Sequence, residues 1–421
     1  MSNEVRIDPE VLARRIEELA SFGKVGETGV SRTVYSPAWV DAQRQVEAWM
    51  VEAGLTTRWD AVGNVWGRIE GSEERGTRSE DENRVVVTGS HVDSQTPGGM
   101  FDGALGVIGG LTAVEALIRE RGAPRRPVEV VSLCEEESSR FPSTQFWGSR
   151  AIAGLITPEV VAAVVSFDGE PIAEVMRSVG LDPEAIRTAI RDDIGAFVEL
   201  HIEQGPILEQ AKLPVGIVTG ITGLRHYGVT VEGTANHAGA FPMDLRRDPM
   251  AAAAEIIAGV VNTAHRMGRP AVTTVGRMEV EPNFRAIVPR RVTFSIDARH
   301  PDAEQRALLY RRHEALMREV AERRGVEITW QVDAEHEPEP MSARLVDMFD
   351  GVATDLGIPH LRMASGAVHD TQRLSRQAEA VMVFIQSRDG RSHTPEEHSE
   401  LSHIVDGVRV LAGGLHALAW G

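Results

Sequence analysis

The chain has 421 residues, 42% of them apolar, a formal net charge of −18 and a single cysteine, Cys134. That length exceeds one ordinary domain and predicts two, while the acidic balance argues against nucleic acid or an anionic membrane as partner and favours a small-molecule substrate. One cysteine excludes an internal disulfide framework and a cysteine-rich zinc site, so any metal must be held by His and carboxylate; it also suits a reducing, cytosolic compartment.

In chain order, MSNEVRIDPEVLARRIEELASFG reads as a charged amphipathic helix without the apolar core of a signal peptide, and no later run approaches the roughly 20 apolar residues of a membrane span. Strand-like runs at 84–88, 128–133 and 197–202 alternate with helical patterns, one of them starting near Leu105, which predicts parallel β/α units. The polar stretch 71–83 reads as a solvated loop between two strands. From His226 the rhythm becomes strand (HYGVTVEG), helix (249–266), strand (AVTTVGRMEV), strand (RVTFSIDAR), helix (303–324) and strand (VEITWQV), the β-α-β-β-α-β order of a ferredoxin-like unit. A helix over 341–356, a strand over 381–385 and a helix over 400–418 then resume the parallel pattern. The predicted architecture is α/β: a catalytic domain (1–218 and 336–421) with a mostly parallel sheet flanked by helices, interrupted by a ferredoxin-like α+β lid or dimerisation domain (219–335).

Chemistry-bearing residues gather at predicted strand ends. The segment GSHVDSQTPGGMFDGALGVIGG places His91, Asp93 and Asp102 in a glycine-rich turn between a buried strand and a helix, where open α/β sheets carry their sites. Glu135, Glu136 and Glu137 follow the strand VEVVSLC; His201 lies in LHIEQG and His393 in GRSHTPEE. Three histidines with carboxylates able to bridge suit a two-metal hydrolase, in which paired ions sit about 3.5–4 Å apart and share one water. Of Glu136 and Glu137, leaving an extended backbone on opposite sides, one can bind metal while the other takes the water's proton. Asp93, two residues from His91, suits fixing the tautomer of that ring. Cys134 reads as a small buried residue, and His265, His300, His313, His336, His403 and His416 as ordinary surface or core histidines; His369, nearer the motifs, is a candidate substrate contact.

These motifs, with EEESSRF, NHAGAFPMDLRRDPMAAA, SGAVHD and SRDGRSHTPEE, run nearly end to end, and through them the chain resembles the hydantoinase/carbamoylase amidases of the metal-dependent aminoacylase and peptidase superfamily. That family includes N-carbamoyl-L-amino acid hydrolases, β-ureidopropionases and allantoate amidohydrolases. The resemblance implies His91, Asp102, Glu137, His201 and His393 as ligands of two divalent ions (Zn, Mn, Co or Ni), Asp102 between them, and Glu136 as base. It implies His237 as an oxyanion donor to a neighbouring subunit's site, Gln204 and Arg299 as substrate contacts, and a homodimer through the inserted domain. Five positions depart from the family pattern: Ala286 replaces an asparagine, Val368 and Ser138 each replace a glycine, and Ala240 and Phe241 alter the HAG motif. Arg285 is a candidate to replace the missing asparagine. The expected reaction is release of CO₂ and ammonia from an N-carbamoyl-L-amino acid; the alternatives are allantoate, an aminoacylase- or dipeptidase-like amide, or a silent ligand-binding member.

Overall fold

The computed structural model describes residues 5–72 and 84–421. All but two residues of the predicted polar loop, 73–83, lie outside them. The described chain forms two compact units, one of residues up to 219 with 341–363 and 368–421, the other of 220–340 with 364–367.

The first unit is built on a mixed sheet flanked by helices. Its centre is parallel: Glu379–Ile385 pairs with Ile194–Ile202, which pairs with Val85–His91, which pairs with Val128–Leu133. Val65–Ile69 and Thr56–Trp59 extend one side antiparallel, and Val215–Ile221 the other. Every residue of Val85–His91 and Val128–Leu133 is buried, as expected of strands covered on both faces. Helix Ala104–Arg121 packs on Val85–His91 and against helix Leu401–Ala419. Its first residues approach the sheet so closely that a Cβ on Gly106 would lie 2.3 Å from the Leu200 carbonyl.

The amino-terminal helix is observed over Pro9–Ser21, with Asp8 accepting from the Glu10 N–H and proline in its first turn, the usual start signal. Helix Pro249–Met267 begins the same way, Asp248 capping Met250 and Ala251. The helices expected over 341–356 and 400–418 are Ala343–Asp355 and Leu401–Ala419.

In the second unit, helices Pro249–Met267 and Ala303–Arg324 pack with the sheet around Tyr227, Val229, Ile256, Phe294, Ile296 and Met317. The sheet has five strands where the sequence pattern predicts four. The run AVTTVGRMEV divides into Val272–Thr274 and Met278–Glu281, both antiparallel to Arg291–His300, because the chain leaves the ladder at 275–277. Gly223–Glu232 and Glu327–His336 complete the sheet. Along Arg291–His300 burial alternates strictly: Val292, Phe294, Ile296 and Ala298 enter the core, and Thr293, Ser295, Asp297 and Arg299 line the other face, the two-residue period of a strand with one buried side.

No helix among the described residues is long and apolar enough to cross a membrane.

Candidate metal centre

His91 ends its strand, His201 is the last residue but one of Ile194–Ile202, and Glu136 and Glu137 follow Val128–Leu133 after Cys134 and Glu135. Three neighbouring parallel strands thus deliver their side chains to one sheet edge. Asp102 joins them from the loop entering helix Ala104–Arg121. That loop turns on Gly103, which has φ 61° and lies so close to His91 that a Cβ there would fall 2.3 Å from the imidazole; only glycine permits both the angle and the approach.

Two groups of potential ligands result, and they share one residue. His91, Asp102 and His201 form the first, Asp102, Glu137 and His393 the second. Asp102 divides its oxygens between them: Oδ1 lies 3.1 Å from His201 Nε2 and 3.8 Å from His91 Nε2, while Oδ2 lies 3.4 Å from His393 Nε2. Glu137 Oε2 is 3.5 Å from the same His393 nitrogen, and Glu136 Oε2 is 3.9 Å from His91 Nε2. A third cluster, Glu199, His201 and His369, is occupied otherwise. Glu199 accepts from Ser90 Oγ at 2.7 Å and from the Thr371 hydroxyl.

The donor set fits a divalent cation. Asp93 Oδ1 and Glu137 Oε1 are buried without a hydrogen-bond partner, a costly state for a carboxylate that a bound cation would relieve. Burial and neighbouring carboxylates push Glu136 well above the usual range, and burial and Asp102 push Glu137 up to about 8. Asp102 itself is held well below that range, since His201 and His393 outweigh its burial. Imidazoles and carboxylates converging in this way suit borderline to hard divalent ions.

Other residues hold the ligands in place. Glu397, which the sequence pattern did not single out, accepts from the main-chain N–H groups of Phe101 and Asp102, each at 2.9 Å, and so fixes the loop carrying Asp102. A Cβ on Gly99 would fall 2.3 Å from Glu397 Oε1, which gives that glycine a role beyond turning the chain. Ser392 Oγ reaches Asp102 Oδ2 at 2.7 Å and Glu397 Oε2 at 3.0 Å. Both lie in the motif that carries His393, the one signal that could have found them. Buried Arg32 donates to the carbonyl of Val92, between His91 and Asp93.

Two expected details differ. The nearest acceptor of His91 Nδ1 is the Asp93 carbonyl, at 3.1 Å, with the carboxylate at 3.7 Å; that carboxylate accepts instead from the Glu137 N–H at 3.1 Å. The acidic triplet is also not an extended run with alternating sides. Glu135 takes φ 52° and Ser138 φ 52°, so Glu135 turns away to accept from Phe141 N and Thr144 Oγ1 while Glu136 and Glu137 both face the centre.

Of the expected substrate residues, Gln204 reaches the centre, donating from Nε2 to Asp102 Oδ2 at 2.8 Å, and His369 is buried with its ring 4.6 Å from that of His201. The others lie in the second unit. His237 is exposed, and its Nδ1 accepts from the N–H groups of Gly239 and Ala240, both at 3.1 Å; this fixes the tautomer that carries hydrogen on Nε2. Arg285 is exposed. Arg299 forms a two-point pair with Asp297, Nε to Oδ1 at 2.9 Å and Nη2 to Oδ2 at 2.8 Å, and Nη1 donates to the Gly366 carbonyl at 3.0 Å. His226 Nε2 lies 3.2 Å from Asp297 Oδ2. Burial pulls the Asp297 carboxyl up, but His226 and Arg299 hold it well below the usual range.

Histidines and carboxylates gathered at parallel strand ends of an α/β sheet, with an acid beside them, define a metal-dependent hydrolase. Residues 86–416 match peptidase family M20/M25/M40, and the chain belongs to that family, among its hydantoinase/carbamoylase amidases. It is a hydrolase of carbon–nitrogen bonds other than peptide bonds. It is 40% identical to an allantoate amidohydrolase of Bacillus subtilis over 96% of each chain, and 39% identical to an N-carbamoyl-L-amino acid amidohydrolase of Geobacillus stearothermophilus over 99% of this chain and 100% of that one. A hydantoinase/carbamoylase family amidase of Burkholderia multivorans superposes with a TM-score of 0.91 at 32% identity, covering 99% of each chain.

Proposed function

We propose that the protein hydrolyses the carbamoyl group of an N-carbamoyl-L-amino acid, H₂N–CO–NH–R + H₂O giving H₂N–R, CO₂ and NH₃. The observation that carries this reading is the paired donor set sharing Asp102 with Glu136 beside it. His91 and His201 would hold one divalent ion and Glu137 and His393 the other, Asp102 serving both. Bound there, the ions supply the positive charge that brings a water's pKa toward neutrality and polarises a carbonyl.

Glu136 takes the water's proton and returns it to the departing nitrogen, a task worth typically 10²–10⁴-fold. His237, its Nδ1 committed to two main-chain donors, presents Nε2–H to the developing oxyanion. That contact is made across a homodimer formed by the second unit. Arg299 holds the substrate carboxylate, and Gln204, His369 and Arg285 contact the rest of the substrate.

Allantoate, a ureido compound that also carries a carboxylate, is the second reading, favoured by the 40% identity to an enzyme named for it. The test is side-by-side turnover of N-carbamoyl-L-amino acids and allantoate on protein loaded with Zn²⁺ or Mn²⁺. Faster turnover of the carbamoyl compounds supports the first reading. Faster allantoate turnover replaces it with the second, and turnover only of N-acyl amino acids or dipeptides overturns both.

A further inference from the structure

The polar face of the second unit's sheet carries an organised chain of side chains of which the proposed reaction uses only Arg299. Two-residue periodicity places Asp297 and Arg299 on the same face of Arg291–His300. The antiparallel register sets His226 directly opposite Asp297, the arrangement in which side chains of adjoining strands meet. The result is a line from imidazole to carboxylate to guanidinium, with His226 Nε2 approaching Asp297 to 3.2 Å outside hydrogen-bond geometry and Arg299 donating to Asp297 at 2.8–2.9 Å. Next to it on the same face, Thr230, Thr293, Ser295, Thr329 and Gln331 line a groove of about 570 Å³.

An ordinary surface ion pair would explain little, since such pairs contribute ~0–1 kcal/mol and fluctuate. Arg299 is held more firmly than that. Three of its five N–H groups are engaged: two by the carboxylate and one by the Gly366 carbonyl. Both partners of the ion pair are less than one-third exposed. The three anchors fix the plane of the guanidinium and leave one N–H on each terminal nitrogen, the complement of a carboxylate's two oxygens. A long, flexible side chain gains from such holding, because the rotamer freedom it would lose on binding is already lost.

We propose that Asp297, steadied by His226, is the positioning residue that aims Arg299 at a substrate carboxylate. This rests on the reading of Arg299 given above. Asp297 acts through Arg299 and has no part in the bond cleavage.

The experiment uses the full chain loaded with a defined divalent metal. Its substrates are the ureido acid hydrolysed fastest and the same molecule with its carboxylate converted to a primary carboxamide. Asp297→Asn is expected to raise KM for the acid about tenfold with kcat within about threefold, and to leave KM for the carboxamide unchanged; Asp297→Glu should recover part of the loss. His226→Gln should raise KM for the acid about threefold, and it carries the same comparison if Asp297→Asn does not fold.

Equal losses on acid and carboxamide would reduce Asp297 to a structural role and overturn the proposal. So would an unchanged KM in Asp297→Asn alongside a raised one in Arg299→Lys. An unchanged KM for the acid in Arg299→Lys removes Arg299 as the carboxylate holder, a separate failure that shows in that variant alone.

Discussion

In the first unit the five expected ligands and Glu136 lie within a few ångströms of one another, most of them out of water, whereas in the second unit His237 stands exposed and Arg299 is partly exposed in a pair with Asp297. The contrast matters because buried like charges raise one another's energy until a cation is bound, while exposed groups rest at little cost until substrate arrives. One unit is therefore incomplete without metal. The other, on the proposed reading, presents its groups to substrate.

The largest expected effect tests that incompleteness. Asp102→Ala removes the residue both ligand groups share, and should abolish retention of divalent metal after gel filtration together with activity; full metal content by mass spectrometry would refute the sharing. Glu136→Gln should keep its metal and lose about 10²-fold or more in kcat. An unchanged rate would take Glu136 out of the mechanism.

His237→Ala probes the second unit, with kcat expected to fall about 10²-fold while metal content and melting temperature stay unchanged. If sedimentation found monomers with full activity, no partner subunit could be supplying this histidine.

The smallest effect is the most diagnostic, because the two units should respond to pH with opposite signs. Burial pulls His201 down, but Asp102 outweighs it and carries it up to about 9, and Asp102 does the same for His393 against its burial. Both folded pKa values exceed the unfolded value near 6.5, so this stability is complete below pH 6.5 and lost as pH rises through 9. Metal-free protein should accordingly melt lower at pH 9 than at pH 6.5, and bound metal, which displaces those protons, should flatten the slope.

His313, in the second unit's core, is pushed the other way, to about 4 by burial. Its contribution is present above pH 6.5 and lost as pH falls through 4, on the order of 3 kcal/mol. His313→Leu should weaken the acid limb of the melting profile and leave the alkaline limb alone. The same slope in both proteins would mean that His313 does not govern it.

Much of this was legible in the sequence, for identifiable reasons. Strands Val85–His91 and Val128–Leu133 are valine-rich because they are covered on both faces, and Pro249–Met267 announces itself by an Asp–Pro start. The division of 271–280 into two strands was not legible, because both pieces keep the apolar and β-branched character of one strand and only the ladder with Arg291–His300 separates them. His313 reads as one more histidine among charged neighbours on its helix until the fold turns it inward.

By itself the sequence determined which residue types could bind metal, that they follow strands, and the family they belong to, because motif spacing and periodicity are local properties of the chain. Only the tertiary structure decided that Asp102 gives one oxygen to each ligand group, that Glu135 turns away while Glu136 stays, that Glu397 secures the loop from 295 residues away, and that Asp297 grips Arg299 opposite His226. Those facts depend on distances across the fold and on left-handed backbone angles at single residues, and neither is written in the order of side chains along the chain.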